Sequence, residues 1–192
     1  MGKIVVSENV SLDGVVQDPT GEEGFKHGGW FNQISDKDRE GWAQVGLDEA
    51  LGAEALLVGR RSYEFLAARW PSRTGAWADR LNSLPKYVVS STLIDPEWNN
   101  TTVLGGEAVT EVSRLKNELQ GEIVVAASLQ LVSTLIAHDL VDELRLMVYP
   151  VVLGAGDRLF GETSDKKAMR LRDSRTVGDG LAFLTYERVR DV

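Results

Sequence analysis

The sequence predicts an α/β fold built on a mixed, mainly parallel β-sheet. Short apolar runs rich in β-branched residues alternate with segments of helical periodicity, which is typical of parallel strands joined by helices. The segment Gly178-Asp179-Gly180 separates the last two strand-like runs, and two glycines around an aspartate indicate a hairpin turn. That hairpin makes the sheet mixed.

The strand-like runs are short, and several are continuously apolar, as strands buried on both faces are. They lie at Ile4–Val6, Ala55–Val58, Tyr87–Val89, Thr101–Leu104, Ile123–Ala126, Leu144–Leu153, Met169–Val177 and Leu181–Val189. No linker-like segment and no internal repeat interrupts this order, so we expect a single domain over residues 1–192.

Helix signals fill the segments between the strands. One apolar stripe at helical spacing consists of Ala108, Val112, Leu115 and Leu119. We expect Gly121 to end this helix and Ser128 to cap the next one. Further helices are predicted from about Glu40 to Leu51 and from near Arg61.

Composition restricts the function classes. The net charge of the 192 residues is −8, so we expect no binding to nucleic acid or to anionic membranes. The chain has no Cys and only two His, which argues against disulfides, thiolate chemistry and a metal site. It shows no signal-peptide pattern and no apolar run long enough to span a bilayer, so we expect a cytoplasmic protein.

The segment from Asp18 to Gly29 is rich in glycine and mixed charges and follows the first strand. We expect a long mobile loop, and loops of this length often act as functional lids. Trp30 and Phe31 come next, and they either line such a lid over a flat ring or pack in the core.

Three predicted strand ends carry residues suited to binding phosphate. These segments are Gly59–Ser62, Ser90–Thr92 and Ala126–Leu129. Ligands of α/β sheets bind beyond the carboxyl ends of strands, where helix starts present free N–H groups. Arg60 or Arg61 adds a guanidinium that matches phosphate oxygens. The alternatives are a surface helix capped by Ser62, a hydroxyl-rich turn, and a tight strand-to-helix turn.

Asp13 lies in Ser11-Leu12-Asp13-Gly14, directly after the first strand. A carboxylate there is placed to orient a substrate or to supply a proton. The alternative is an ordinary turn aspartate before glycine.

Four segments then occur in a distinctive order: Ser11–Gly14, Gly59–Glu64, Leu140–Leu144 and Pro150–Phe160. With these segments the chain resembles the dihydrofolate reductase superfamily, in the branch similar to the C-terminal reductase domain of the bacterial bifunctional riboflavin-biosynthesis protein. The resemblance covers Lys3 to about Arg188. It implies a dihydrofolate-reductase-like three-layer fold, with a mixed, mainly parallel eight-stranded sheet flanked by helices, and a homodimer.

The resemblance also implies an NADPH-dependent reductase. Hydride would pass to a C=N or C=O carbon of a small heterocycle, such as 5-amino-6-(5-phosphoribosylamino)uracil. The predicted cofactor-binding residues are Gly59, Arg60, Arg61, Ser62, Ser90, Ser91, Thr92, Ala126, Ala127, Ser128 and Leu129. The predicted substrate-binding residues are Asp13, which is also the predicted catalytic residue, Gly14, Trp30, Tyr63, Leu153 and Gly154.

Two departures from the family pattern keep alternatives open. The pyrophosphate turn of the family usually contains glycine, but here it is Ala126-Ala127-Ser128. A methyl there either blocks phosphate or requires a backbone conformation that glycine adopts more easily. Asp36, Asp38 and Asp48 are candidates for the pterin-binding acid of dihydrofolate reductases, but none is in register. The alternatives are a non-catalytic nucleotide-, pterin- or flavin-binding protein on the same fold, and an authentic dihydrofolate reductase.

Overall fold

The computed structural model describes residues 1–161 and 165–190. Its strands are β1 (Lys3–Ser11), β2 (Ala53–Gly59), β3 (Lys86–Val89), β4 (Thr101–Leu104), β5 (Glu122–Ala126), β6 (Glu143–Tyr149), β7 (Met169–Val177) and β8 (Leu181–Arg188). Its helices are α1 (Asp36–Gly52), α2 (Arg60–Ala67), α3 (Ala76–Ser83), α4 (Ala108–Glu118) and α5 (Leu129–Ala137), with a short 3-10 helix at Trp30–Asn32. The domain predicted over residues 1–192 includes residues 162–164 and 191–192, which lie outside the described residues.

These strands form one sheet in the order β4-β3-β2-β5-β1-β6-β8-β7. Strand β2 runs parallel to β3 and to β5, and β3 runs parallel to β4. Strand β8 is antiparallel to both β6 and β7. The predicted mixed, mainly parallel eight-stranded sheet with flanking helices is therefore confirmed.

The chain divides into two compact units. Unit 1 consists of Met1–Val6 and Val45–Asp142, and unit 2 consists of Ser7–Gln44 and Glu143–Val192. One core cluster of unit 1 contains Leu56, Val58, Tyr63, Trp70, Ala78, Val88 and Trp98. None of the helices in the described part of the chain is both long and apolar enough to cross a membrane.

Lys86 stabilises the connection between β3 and β4 in unit 1 through hydrogen bonds to backbone carbonyl oxygens. Its side chain is fully buried, and its Nζ donates hydrogen bonds to the carbonyl oxygens of Leu84 at 2.8 Å, Asn99 at 2.9 Å and Asn82 at 3.1 Å. Burial lowers the pKa of Lys86 to about 8. Ser90–Thr92 lie in this connection, and the buried Lys86 side chain fixes its last residues through Asn99.

Asp38 holds the β7–β8 hairpin in unit 2. Its Oδ1 accepts hydrogen bonds from the backbone N–H of Asp179 at 2.7 Å and of Gly180 at 2.8 Å. The Gly180 N–H is the largest cause that lowers the pKa of this carboxyl. Gly178 has φ +63°, and a Cβ placed there would lie 2.3 Å from Asp38 Oδ1. The hairpin predicted at residues 178–180 is confirmed, and Asp38 explains why it needs glycine.

Two expectations about element boundaries were wrong, and one helix was not predicted. Strand β6 ends at Tyr149 rather than at Leu153, because Pro150 has no N–H to continue the ladder. Helix α4 ends before Gly121, since Leu119 already has extended backbone with ψ 159°. Helix α3 was not predicted, because its eight residues make only about two turns, too few to show a clear periodicity.

The loop predicted to be mobile is organised around Asp18. This side chain is 2% exposed, and its carboxylate accepts hydrogen bonds from the N–H of Phe25 at 3.0 Å and of Glu23 at 3.1 Å. Its carbonyl oxygen accepts from the N–H of Gly29 at 3.0 Å. The loop therefore has an internal scaffold of hydrogen bonds, and its role as a lid stays a prediction.

Replacing Gly178 with alanine should destabilise the protein by roughly 2–5 kcal/mol. Left-handed backbone costs an alanine about 1–2 kcal/mol, and overpacking against Asp38 adds about 1–3 kcal/mol. The matched control is Gly24→Ala, because Gly24 has φ +81° but a Cβ added there would meet nothing within 4 Å. Urea unfolding of both variants measures the difference, and equal losses would show that the Asp38 contact does not constrain the hairpin.

Candidate active site

Unit 1 brings the three predicted phosphate-binding segments to one edge of the sheet. Gly59 ends β2, Ser90 follows β3, and Ala126 ends β5. Since β2 runs parallel to both β3 and β5, the carboxyl ends of these three strands meet at the same edge. The residues are therefore grouped as expected, and their role in binding stays a prediction.

Ser128 connects the ends of β2 and β5. Its Oγ accepts a hydrogen bond from the Gly59 N–H at 3.0 Å and donates one to the Ala126 carbonyl oxygen at 3.1 Å. The expectation that Ser128 caps α5 with its side chain is wrong, because the hydroxyl is used by Gly59. No side chain caps the start of α2 either, so Ser62 does not play that role. Both helix starts keep their positive dipole ends free of side-chain acceptors.

The turn before α5 has the backbone conformation that glycine favours. Ala127 has φ 50° and Ser128 has φ 64°, both in the left-handed region. Each non-glycine residue there costs roughly 1–2 kcal/mol. Of the two consequences expected for a methyl in this turn, the unusual backbone conformation is therefore observed. Ala127 itself is exposed.

Arg60 links the first segment to the second. Its Nε donates a hydrogen bond to Glu64 Oε1 at 2.8 Å, and its Nη1 donates to Thr92 Oγ1 at 2.5 Å. Ser90 Oγ accepts from the N–H of Leu93 at 3.0 Å and of Thr92 at 3.2 Å. The exposed Arg60 guanidinium is thus directed toward the hydroxyl-bearing turn.

Asp13 anchors a second chain segment in unit 2. Its carboxylate accepts hydrogen bonds from Ser11 Oγ at 2.7 Å, from the Gly154 N–H at 2.9 Å and from the Leu153 N–H at 3.1 Å. These donors, Ser11 first, lower the pKa of Asp13 to about 2. Asp13 is ionised at neutral pH and its oxygens are engaged, so this geometry does not support a role in donating a proton.

Two glycines flank this anchor with open space around them. Gly14 has φ +81° and Gly154 has φ +76°, and a Cβ on either would have nothing within 4 Å. Arg158 crosses the turn, with its Nε donating to the Asp13 carbonyl oxygen at 3.0 Å. Unit 2 therefore brings Asp13, Gly14, Leu153 and Gly154 together, as predicted for a substrate-binding segment.

Two predicted substrate contacts lie inside the protein instead. Tyr63 is 4% exposed in the unit 1 core, and its hydroxyl accepts a hydrogen bond from the Trp98 N–H at 3.0 Å. Trp30 is 2% exposed, and its Nε1 donates to the Gln17 carbonyl oxygen at 3.0 Å. Neither placement supports a substrate contact. Both side chains instead pack in the interior of the protein and satisfy their polar groups there.

Sequence reasoning missed Glu8, which lies in the middle of β1 in unit 2. Its carboxyl is half-buried, and burial raises its pKa to about 8 with no contribution from a neighbouring charge. In the sequence Glu8 only interrupts an apolar run, so no local signal marks it. Asn9, the next residue, also escaped notice, and its Oδ1 accepts a hydrogen bond from Trp42 Nε1 at 3.1 Å.

Replacing Glu8 with glutamine should change how stability depends on pH. A folded-state pKa near 8 against an ordinary value of 4.5 means that the folded state binds the extra proton. The stabilisation is complete below about pH 4.5 and is lost as the pH rises through 8. The free energy of unfolding of the wild type should therefore fall, relative to Glu8→Gln, by up to a few kcal/mol between pH 5 and pH 8.

Urea unfolding across that pH range measures this effect. The control variant is Glu40→Gln, which changes an exposed carboxyl on α1. If the free energies of unfolding of the wild type and of Glu8→Gln differed by the same amount at every pH in this range, the raised pKa of Glu8 would be contradicted.

The chain is similar to proteins of one known family. The model of the RibD C-terminal domain family matches residues 2–183. YyaP, an uncharacterized protein of Bacillus subtilis (strain 168), is 27% identical over 190 residues, covering 96% of this chain and 94% of YyaP.

Solved structures show the same fold. A protein of Shewanella sp. PV-4, provisionally named a riboflavin biosynthesis protein, superposes with a TM-score of 0.76 at 22% identity, over 98% of this chain and 99% of that one. Dihydrofolate reductase from Enterococcus faecalis, complexed with NADP(H), gives a TM-score of 0.58 at 16% identity, over 98% of both chains. The expected resemblance is confirmed, and the chain belongs to the RibD C-terminal domain family.

Proposed function

We propose that this protein is an NADPH-dependent reductase that delivers hydride to a C=N or C=O carbon of a small heterocycle. The substrate suggested by the family is 5-amino-6-(5-phosphoribosylamino)uracil. The observation that carries the proposal is the pair of helix starts, α2 and α5, at adjacent parallel strand ends. The Gly59 N–H and the Ser128 hydroxyl join them at 3.0 Å, and no side chain among the described residues caps either helix.

This edge fits the pyrophosphate of a dinucleotide. Helix N-termini attract anions through their free N–H groups and their dipoles. Gly59 has no steric reason to be glycine within the protein, because a Cβ there would lie 3.8 Å from Ser128 Cβ, in ordinary contact. The absent side chain therefore leaves backbone open for a phosphate to approach. We assign the pyrophosphate to Gly59–Ser62 and Ala126–Leu129.

The neighbouring turn fits a further phosphate. Arg60 supplies a guanidinium next to the Thr92 hydroxyl, and Ser91 is exposed beside it. A cluster of hydroxyls with a guanidinium suits a dianionic group. We assign it to the 2′-phosphate that distinguishes NADPH from NADH. The cofactor, when bound, supplies the hydride, and the residues of this chain hold it in place.

On the substrate side, we propose Asp13 as a positioning residue. Its ionised carboxylate fixes the backbone of Leu153 and Gly154 beside Gly14. Removing the carboxylate would free that segment, so Asp13 would influence turnover through the position of these residues. The proton that accompanies the hydride comes from another group or from water.

NADPH binding is the experiment that tests the proposal. At 100 times its Kd, NADPH should stabilise the protein by about 2.7 kcal/mol, which corresponds to roughly 5–11 °C in Tm for a domain of this size. The shift should be lost in Arg60→Ala and should be smaller with NADH. No shift in Tm at millimolar NADPH would contradict the proposal.

Two further variants locate the binding site in the same assay. Gly59→Ala should weaken NADPH binding without loss of stability, because its methyl enters the open space, whereas Gly52→Ala at the end of α1 is the control. Ala127→Gly removes a methyl and relieves the left-handed backbone, so it should bind NADPH at least as well as the wild type.

A non-catalytic binding protein is the second candidate function. The low pKa of Asp13 favours it, because the carboxyl predicted to be catalytic is not a proton donor at neutral pH. NADPH binding without oxidation in the presence of the aminouracil substrate would support this candidate. An authentic dihydrofolate reductase is less well supported, since Asp38, one candidate for the pterin-binding acid, holds the β7–β8 hairpin instead.

The predicted homodimer and the cytoplasmic location stay predictions. Strand β7 lies at the end of the sheet order, and its residues 170–176 are exposed. An uncovered edge strand is available for pairing with another chain.

A further inference from the structure

Asn9 lies on β1 on the same face as Ser11, the residue that begins the Asp13 turn. Side chains two residues apart on a strand share a face and are ~7 Å apart. Asn9 is half-buried, and the only hydrogen bond of its side chain within the described residues is the one that its Oδ1 accepts from Trp42 Nε1 at 3.1 Å. Asn9 therefore shares a face of β1 with the residue whose hydroxyl donates to the Asp13 carboxylate.

The Trp42 contact determines which way the amide of Asn9 points. An indole N–H only donates, so the amide oxygen must face Trp42. The Nδ2 group must then face away, with two donor hydrogens that have no acceptor within the described residues. Half-buried polar groups without a protein partner are normally satisfied by water or by a ligand.

An aromatic cluster holds Trp42 in this orientation. Phe31 contacts Trp42 edge-to-face, with ring centroids 4.8 Å apart. Phe31 also lies 5.9 Å from the ring of Tyr149, whose other neighbour is Trp30 at 5.1 Å. The Tyr149 hydroxyl is fully buried and has no hydrogen-bond partner within the described residues. The cluster thus contains a second polar group that the protein leaves unsatisfied.

Phe31 and Trp42 are half-buried, whereas Trp30 and Tyr149 are buried and only support them. Half-buried rings beside a fixed polar group are the usual lining of a site for a flat heterocycle. We propose that Asn9 is a specificity-determining residue of the substrate site, where its amide N–H groups bind a carbonyl oxygen of an oxo-substituted ring. This inference rests on the proposed reductase function. It adds that the substrate presents a hydrogen-bond acceptor, rather than a donor, to Asn9. Trp42 acts as the positioning residue that prevents the amide from turning over.

The fixed amide discriminates by its donor pattern. A ring carbonyl accepts from Nδ2, whereas a ring amino group at the same position would place donor against donor. A site built from donors rejects such a ligand because the buried groups stay unpaired. The matched pair of probes is pteridine-2,4-dione and 2,4-diaminopteridine, which share a skeleton and invert both substituents.

The wild type should bind the dione at least about tenfold more tightly than the diamine, as measured by titration of the pteridine fluorescence. Asn9→Asp should reverse the preference, because its carboxylate still accepts from Trp42 Nε1 and also accepts from ring amino groups. Gln33→Glu, which adds the same charge at an exposed residue of unit 2, is the control and should leave the preference unchanged.

Trp42→Phe tests the positioning role separately. It removes the indole N–H but keeps an aromatic ring, so the amide is free to turn over. The preference for the dione should shrink to about threefold or less. This variant also keeps the inference testable should Asn9→Asp fail to fold.

Equal affinity for the two pteridines, no binding of either at millimolar concentration, or a preference that survives both variants would overturn the role of Asn9. The NADPH-induced shift in Tm, measured in parallel, separates this result from failure of the reductase proposal. A dione preference without an NADPH shift would contradict the proposed cofactor alone.

Discussion

The hydrogen bond between the Gly59 N–H and the Ser128 hydroxyl determines the geometry of the candidate cofactor edge. It joins the ends of β2 and β5 at 3.0 Å. Ser128 reaches Gly59 because Ala127 and Ser128 both adopt left-handed backbone, which costs roughly 1–2 kcal/mol for each residue. Strain of this kind persists where the surrounding structure over-determines it, and it is common at ligand sites. The Ala127-Ser128 turn therefore adopts the backbone conformation that glycine favours.

Two carboxyl groups of unit 2, those of Asp13 and Glu8, are driven to different charge states by their surroundings. Asp13 accepts hydrogen bonds from a hydroxyl and two backbone N–H groups, which lower its pKa to about 2. Burial of the Glu8 carboxyl, five residues earlier, raises its pKa to about 8. At neutral pH one is charged and structural, while the other holds a proton. Such divergence along a short segment is typical of active sites, although structural networks produce it too.

Much of the fold could be predicted from local patterns. Apolar runs and the Gly178-Asp179-Gly180 turn located the strands, and the order of four motifs identified the family. The end of β6 could have been predicted from Pro150, which has no N–H to continue the ladder. The end of α4 could not, because it depends on the backbone conformation of Leu119. Helix α3 was missed because two turns show little periodicity. No sequence pattern marks Lys86 as a core residue, yet three carbonyl oxygens hold it in the core.

The candidate site was only partly accessible to sequence reasoning. Strand-end residues could be found, because the carboxyl ends of parallel strands meet at one edge. The roles of single side chains could not, since they depend on partners far away in sequence. Ser128 looked like a helix cap but binds Gly59, 69 residues away. Tyr63 follows the predicted phosphate-binding segment in sequence, but its side chain is buried in the core. The orientation of the Asn9 amide depends on Trp42, which is 33 residues away.

The central claim is that the backbone at Gly59–Ser62 and Ala126–Leu129 binds the phosphates of NADPH. Titrating NADPH into isotopically labelled protein and following the backbone amide resonances tests it most directly. The largest shifts are expected at the amides of these two segments, with smaller shifts over Ser90–Thr92. Shifts confined to other segments, or no shifts at saturating NADPH, would contradict the claim.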